Sequence, residues 1–360
     1  MYSQEKVRVE SDDLEFVVKT VTSRVKTYDV QVNPEHIRFF FFHSDNPDIA
    51  EAFDDIRKVL VDRGYIPFIA EDGEAFIEVD RRPQVRYRSN TVNLVMLILT
   101  LASTIYVGSG YASAFVSPGP YREELSLLYG FAFFSAPLML ILGIHEIGHY
   151  IVAKRHHVRA SLPFFIPFPL ELGTFGAFIS LRDPIPNKRA MTEIGAAGPI
   201  FGFLTALPLM FLASYLSRVF RPVTDYVPFI IHLPLIYHLF HLQVPTARPI
   251  FPMVLAVWVG MFATAMNLIP VGQLDGGHVI RGLLGRNAVY ADYAFVAILF
   301  YLGIRYPGWW LLAIFVIFMG ITHPPALDDY SPIRPRDIAI GVFALVMFVL
   351  TFTVVPISQA

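Results

Sequence analysis

The chain contains no cysteine among its 360 residues. That excludes a disulfide framework and a thiolate metal site, so any bound metal must be held by His, Asp or Glu. Charge is scarce as well: Asp, Glu, Lys and Arg make up 16% of the residues, against about a quarter in a soluble domain. With 54% hydrophobic residues and a mean hydropathy of +0.51, so few charges cannot cover a water-facing surface. A lipid-facing surface is the simpler expectation. Neither sign of charge dominates, and a net charge of −2 argues against a nucleic-acid partner. The first residues are charged and polar, so no signal peptide is expected there.

What is present falls into two parts. Residues 1–90 read as a small soluble α+β domain. Residues 13–27 have a helix-like pattern, and His36 to Phe42 reads as a strand. Asn46-Pro47 predicts a helix with Pro at its first position, with Ile49, Phe53, Ile56 and Val59–Leu60 on one apolar face and Gly64 at its end. Ile66–Ala70 and Ala75–Val79 flank Asp72-Gly73, a β-hairpin signature. The domain lacks clustered polar catalytic groups, so it is expected to regulate, recruit substrate or bind a protein partner.

Residues 91–360 hold long apolar stretches, and a bilayer span needs about 20 such residues. Spans are expected near 91–110, 130–152, 192–215, 250–268, 290–304, 308–322 and 337–356. The fold class is therefore a polytopic α-helical membrane protein of about seven spans behind an N-terminal α+β domain. If residues 1–90 are cytoplasmic, the inside loops carry Arg81, Arg82, Arg86, Arg88, Lys154, Arg155, Arg159, Arg182, Lys188, Arg189, Arg281, Arg286, Arg334 and Arg336. The outside loops carry only Arg122, Arg218, Arg221, Arg248 and Arg305. The positive-inside rule then predicts a cytoplasmic N-terminus and, by parity, an outside C-terminus. Residues 222–249 are apolar but studded with Pro and His, and read as an interfacial segment or a re-entrant hairpin.

The chemistry-bearing motif is His145-Glu146-Ile147-Gly148-His149. Two His at i and i+4 share a helix face and can hold one zinc ion, with Glu146 beside it to take a proton from the attacking water. Three ionisable residues inside an otherwise apolar span are costly without a function. Zinc commonly takes three protein ligands and keeps one position open. The charge-derived topology puts Asp275 at the depth of His149, which makes it the third-ligand candidate. Gly276 and Gly277 are expected to supply a turn that faces the carboxylate inward. The alternative is that Asp275 caps the following helix. Asn267 can donate to a tetrahedral oxyanion, or else cap a broken helix end. His278 is expected to contact backbone or solvent, and His156 and His157 to be merely interfacial.

These residues resemble the site-2 protease family over about 128–285. His145-Glu146-x-x-His149 matches its metal motif, and Asn267-x-x-Pro270-x-x-x-x-Asp275-Gly276 its Asn-Pro-x-Pro…Asp-Gly motif, with Leu268 where the family often has Pro. Gly173-Thr174-Phe175-Gly176-Ala177-Phe178-Ile179 resembles the family's glycine-containing loop, and Gly195-Ala-Ala-Gly198-Pro199 its next core helix. The resemblance implies a three-helix catalytic core, metal ligands His145, His149 and Asp275, and catalytic Glu146 and Asn267. The expected partners are the lipid bilayer and a membrane-protein substrate with a transmembrane helix. Such a helix hides its carbonyls and must unwind before hydrolysis. The Gly173–Leu181 segment, through Gly173, Phe175, Gly176 and Phe178, can pair with the unwound strand; the alternative is a simple connector. Gly198 and Gly202 are expected to serve helix packing. A metal or proton transporter could use the same cluster, but no inverted repeat is evident. An inactive regulatory protein has no need of an intact Glu146.

Overall fold

The computed structural model describes residues 11–33, 36–82, 89–225, 229–245 and 249–359. The N-terminal part is α1 (Ser11–Thr22), β1 (Thr27–Val32), β2 (His36–Phe41), α2 (Ile49–Asp62), β3 (Tyr65–Asp72) and β4 (Glu74–Arg81). The strands form one antiparallel sheet in the order β1-β2-β4-β3. The alternation His36-Ile37-Arg38-Phe39-Phe40-Phe41 sends Ile37, Phe39 and Phe41 inward, where Phe53, Ile56 and Leu60 of α2 cover them. Gly73, at φ +75, makes the expected β3–β4 turn, and Gly64, at φ +85, the end of α2. Two expectations are corrected. The helix begins at Ile49 rather than Pro47, because Asn46 is used to bridge Lys26 and Phe42. The helix over the 13–27 pattern stops at Thr22; residues 23–26 turn the chain, and Thr27 opens β1, an edge strand with most side chains exposed.

Apolar helices make up the rest. They are α3 (Asn90–Ala112), α4 (Arg122–Gly130), α5 (Ala136–Arg155), α6 (Lys188–Val219), the short α7 (Leu235–Leu239), α8 (Pro252–Asn267), α9 (Asp275–Leu284), α10 (Ala288–Gly303), α11 (Gly308–Met319) and α12 (Pro335–Thr351). Two short antiparallel pairs accompany them, β5 (Phe164–Phe168) with β6 (Gly173–Phe178), and β7 (Phe229–Ile231) with β8 (Ile357–Gln359). A π turn over Phe131–Ser135 joins α4 to α5. The helices Asn90–Phe115, Arg122–Arg155, Lys188–Val219 and Asp275–Gly303 are long and apolar enough to cross a bilayer. Pro252–Asn267 and Gly308–Met319 are apolar but shorter. The Asp275–Gly303 run is broken at Gly285 (φ +57), so the expected fifth span is the separate helix α10, which folds back until Asp292 accepts from the Gly272 amide at 3.3 Å.

Contacts sort the helix ends onto two faces. On one face Asn93 of α3 donates to the Leu162 carbonyl (2.6 Å), the end of α5 meets the start of α6 through His156 and Glu193 (2.8 Å), and Arg189 lies 3.7 Å from Asp337 at the start of α12. On the other face Phe115, Phe133 and Phe220 pack around Phe251 at the start of α8. There β7 pairs with β8, so residues 229–231 and 357–359 share one side. Among the described residues no helix long enough to span lies in 222–249.

Candidate active site

The site is built where α5 crosses α6 and the start of α9. His145 and His149 sit one turn apart on α5, and the repeat of the helix aims both rings at α6. Their Nε2 atoms are 3.2 Å apart, and Oδ2 of Asp275 lies 3.2 Å from each. The structure therefore brings together three side chains drawn from positions 130 residues apart. Both imidazoles are buried. Glu146 is buried beside them, with Oε1 4.0 Å from His145 Nε2. Asn267, the last residue of α8, places Nδ2 3.4 Å from the same nitrogen.

This triangle fits a divalent ion. Ligands about 2.0–2.2 Å from a tetrahedral ion stand about 3.3–3.6 Å from one another. The Nδ1–H of His149 donates to the Ile194 carbonyl at 2.7 Å, which leaves the Nε2 lone pair facing Asp275. Lone pairs converging in a buried space repel unless a cation lies among them. A second group able to hold an ion, His36, Glu78 and Asp80, lies partly exposed in the N-terminal sheet. Its Glu78 is already ion-paired with Arg38 at 2.5 Å. The His232, His238 and His241 set forms no such group among the described residues, and His232 meets the Ser358 hydroxyl instead.

Glycines decide how close the helices come. A Cβ on Gly198 would collide with the His149 ring and lie 2.7 Å from Cδ2 of His145. A Cβ on Gly202 would stand 3.1 Å from His145 Nδ1. The Gly-x-x-x-Gly spacing thus serves packing, but packing of α6 directly onto the candidate ligands. Gly276 and Gly277 act otherwise than expected. They lie in the first turn of α9, where Cβ atoms would strike the carbonyls of Leu268, Ile269, Val271 and Gly272. The left-handed residue is Gly272, at φ +56. Asp275 is the first residue of α9, after Leu274 at the cap position, so its carboxylate is aimed by a helix start rather than by a glycine turn.

The expected substrate segment is a strand. β6 pairs antiparallel with β5 on one edge, and no strand covers its other edge among the described residues. Gly173 (φ +77) packs against Thr104 of α3, and Gly176 (φ +103) adopts a backbone that favours glycine, with open space where a Cβ would stand. Phe175 bulges out of the register and is exposed against Phe168, and Phe178 is exposed. Past the strand, the Ile179 amide faces the Glu146 carboxylate. Sequence reasoning missed two features, the Ile194 carbonyl that orients His149 and the role of His156. His156 is no bystander: it caps α5 and meets Glu193 at 2.8 Å. His278 donates to the Leu274 carbonyl, as expected, and also stacks edge-on with His323 at 4.1 Å.

A buried His-Glu-x-x-His helix is met by a carboxylate at the start of a distant helix, a donor set similar to that of the zinc metallopeptidases. Residues 133–304 match the model of peptidase family M50, and the resemblance to the site-2 protease family drawn from the motifs holds. The chain is similar to the probable zinc metalloprotease EGY1, chloroplastic, of Arabidopsis thaliana, at 28% identity over 293 residues covering 72% of this chain and 52% of that protein. It is 26% identical over 247 residues to the probable zinc metalloprotease EGY2, chloroplastic, of the same organism (61% of this chain, 41% of that one). With the Arabidopsis probable zinc metallopeptidase EGY3, chloroplastic, it shares 28% over 293 residues (72% and 48%). The chain spans about half the length of the relatives it matches. A transporter finds no support in these similarities.

Proposed function

We propose that this chain is an intramembrane zinc metalloprotease that hydrolyses peptide bonds in or near transmembrane segments of membrane-protein substrates. The observation that carries the reading is the triangle of His145, His149 and Asp275 with Glu146 beside it. His145, His149 and Asp275 would hold one zinc ion, which when bound supplies a Lewis acid that acidifies water and polarises a carbonyl. Glu146 takes the proton of the attacking water on its carboxylate and returns it to the leaving amine. The Asn267 amide donates to the developing oxyanion. The free edge of β6, with Gly173, Phe175, Gly176 and Phe178, pairs with an unwound stretch of substrate and lays it past Glu146. An unpaired strand edge is costly at membrane depth, which favours such an occupant.

The topology proposed with it has about seven spans, a cytoplasmic N-terminus and a C-terminus outside. The fourteen-to-five distribution of Lys and Arg named above supports that orientation. Residues 1–90 are a regulatory domain that faces a protein partner or the substrate. The test is Glu146→Gln. It should abolish cleavage of a transmembrane substrate by the reconstituted chain while bound zinc stays equimolar. Undiminished proteolysis would remove Glu146 from the reaction.

A further inference from the structure

The N-terminal sheet is joined to the β5–β6 hairpin by two routes. Arg82, immediately after β4, places Nη1 2.6 Å from Oδ1 of Asp183 and donates through Nη2 to the Arg182 carbonyl. Asp183 is buried and staples the base of the hairpin: it accepts from the Arg159 backbone amide at 2.8 Å and from the Arg159 side chain at 2.8 and 2.9 Å. The stem continues through Arg182 N–H to the Arg159 carbonyl (2.6 Å), a bridge between Ala160 and Leu181, and Ser161 N–H to the Ser180 carbonyl (2.9 Å). Four residues before Asp183 stands Ile179, whose amide faces Glu146.

The second route is backbone. Ile69 of β3 donates to the Leu327 carbonyl at 2.9 Å, and Leu327 donates to the Ile185 carbonyl at 3.0 Å. The Leu327 side chain is buried in the core of the N-terminal domain. Arg57 of α2 adds a bond to the His156 carbonyl at the end of α5. The domain thus grips the helix that carries the imidazoles and the strand that runs to Glu146 at the same time.

We propose that the N-terminal domain is a clamp on the β5–β6 hairpin, in which Arg82 and Asp183 are positioning residues that hold β6 at its working distance from Glu146. This rests on the reading of β6 as the strand that pairs with substrate. A change that loosens the domain then weakens substrate engagement without touching the metal ligands.

The test uses the full chain, purified and reconstituted, with hydrogen exchange over 173–181 as a readout that needs no activity. Arg82→Ala should speed exchange there about tenfold and raise KM about tenfold, with kcat within about threefold and zinc content unchanged. Arg82→Lys should recover most of both. Asp183→Asn should match Arg82→Ala, and the double variant should add nothing further. Leu327→Ala probes the second route, should Arg82→Ala fail to fold. Because the chain has no cysteine, a spin-labelled pair at Asp62→Cys and Lys154→Cys, across the cleft between α2 and α5, reports whether the domain has loosened. Unchanged exchange over 173–181 in both Arg82→Ala and Leu327→Ala overturns the clamp, whatever the proteolytic result. Faster exchange with unchanged KM overturns the positioning role. Faster exchange in a protein whose wild type cleaves no transmembrane substrate leaves the clamp standing and sinks the protease reading beneath it.

Discussion

Replacing Gly198 by Ala tests the site through a residue with no chemistry of its own. The added Cβ would lie 2.7 Å from Cδ2 of His145 and closer still to the His149 ring, where ordinary contacts begin at 3.4 Å. The His145 ring must therefore retreat by about 0.7 Å (3.4 less 2.7), and the His149 ring by more. Metal ligands tolerate about ±0.2 Å, and a misplacement of about 1 Å near a reacting centre costs on the order of a hundredfold. The expected outcome is loss of most bound zinc and at least a hundredfold fall in cleavage. The fold should survive, because Ala is favoured over Gly in a helix by about 1 kcal/mol, which offsets part of an overpacking cost of about 1–3 kcal/mol. Gly202→Ala is the graded control. Its Cβ would stand 3.1 Å from Nδ1 and 3.2 Å from Cβ of His145, so a shift of a few tenths of an ångström suffices and the loss should stay under about tenfold. Zinc is measured by elemental analysis per mole of purified protein, alongside cleavage of a reconstituted substrate. Full zinc content and full activity in Gly198→Ala would show that α6 does not close on the imidazoles and would refute the reasoning.

Asp275→Ala removes one of three candidate ligands and should weaken zinc binding more than about a hundredfold, read by competition with a chelator; unchanged affinity would point to another third ligand. Burial pushes the Asp183 carboxyl up, but hydrogen bonds from Arg159 and Arg82 outweigh it and hold the group below the usual carboxylate range. A depressed value in the docked state means its contribution is present above about pH 4 and is lost as the pH falls through the native value. The 173–181 segment should accordingly gain exchange, corrected for the intrinsic rate, only below about pH 4, and an onset near neutrality would assign docking to other groups. The bond cut in a substrate helix, mapped by mass spectrometry, should lie within about two turns of the face that carries the N-terminal domain, and a cut at mid-bilayer would contradict the depth of the site.

The candidate ligands were legible because their signal is local or topological. His145 and His149 announce themselves by spacing, and Asp275 by the parity of spans and the charge of loops, each a strong constraint in a membrane chain. What escaped was non-local. The Thr27-Tyr28-Asp29-Val30-Gln31-Val32 stretch is a strand only because β2 lies beside it, and its exposed edge carries no clean alternation. The helix over Asp275–Leu284 stood only as the alternative in which Asp275 caps it, because Gly276 and Gly277 ordinarily disfavour a helix. Here they are required, because carbonyls of residues 268–272 press against that first turn. The Arg82–Asp183 pair joins positions 101 residues apart that look like two ordinary loop charges in the sequence.

The depth of the site follows from two opposed demands. Hydrolysis needs water, whereas lipid keeps the carbonyls of the proposed transmembrane substrate tied up in helical hydrogen bonds. His149 lies six residues before the end of α5 at Arg155, about 9 Å from that end at 1.5 Å per residue. Asp275 opens its helix instead of lying within it, so the carboxylate reaches the same level from a short loop. The hairpin stem descends from Asp183 to Ile179 over four residues of extended chain, about 13 Å, which brings the strand to Glu146 from the same face. Three elements of different geometry thus arrive at one level because each is anchored at the polar end where the N-terminal domain docks. A site held from that end stays within reach of water without opening the helix bundle to lipid.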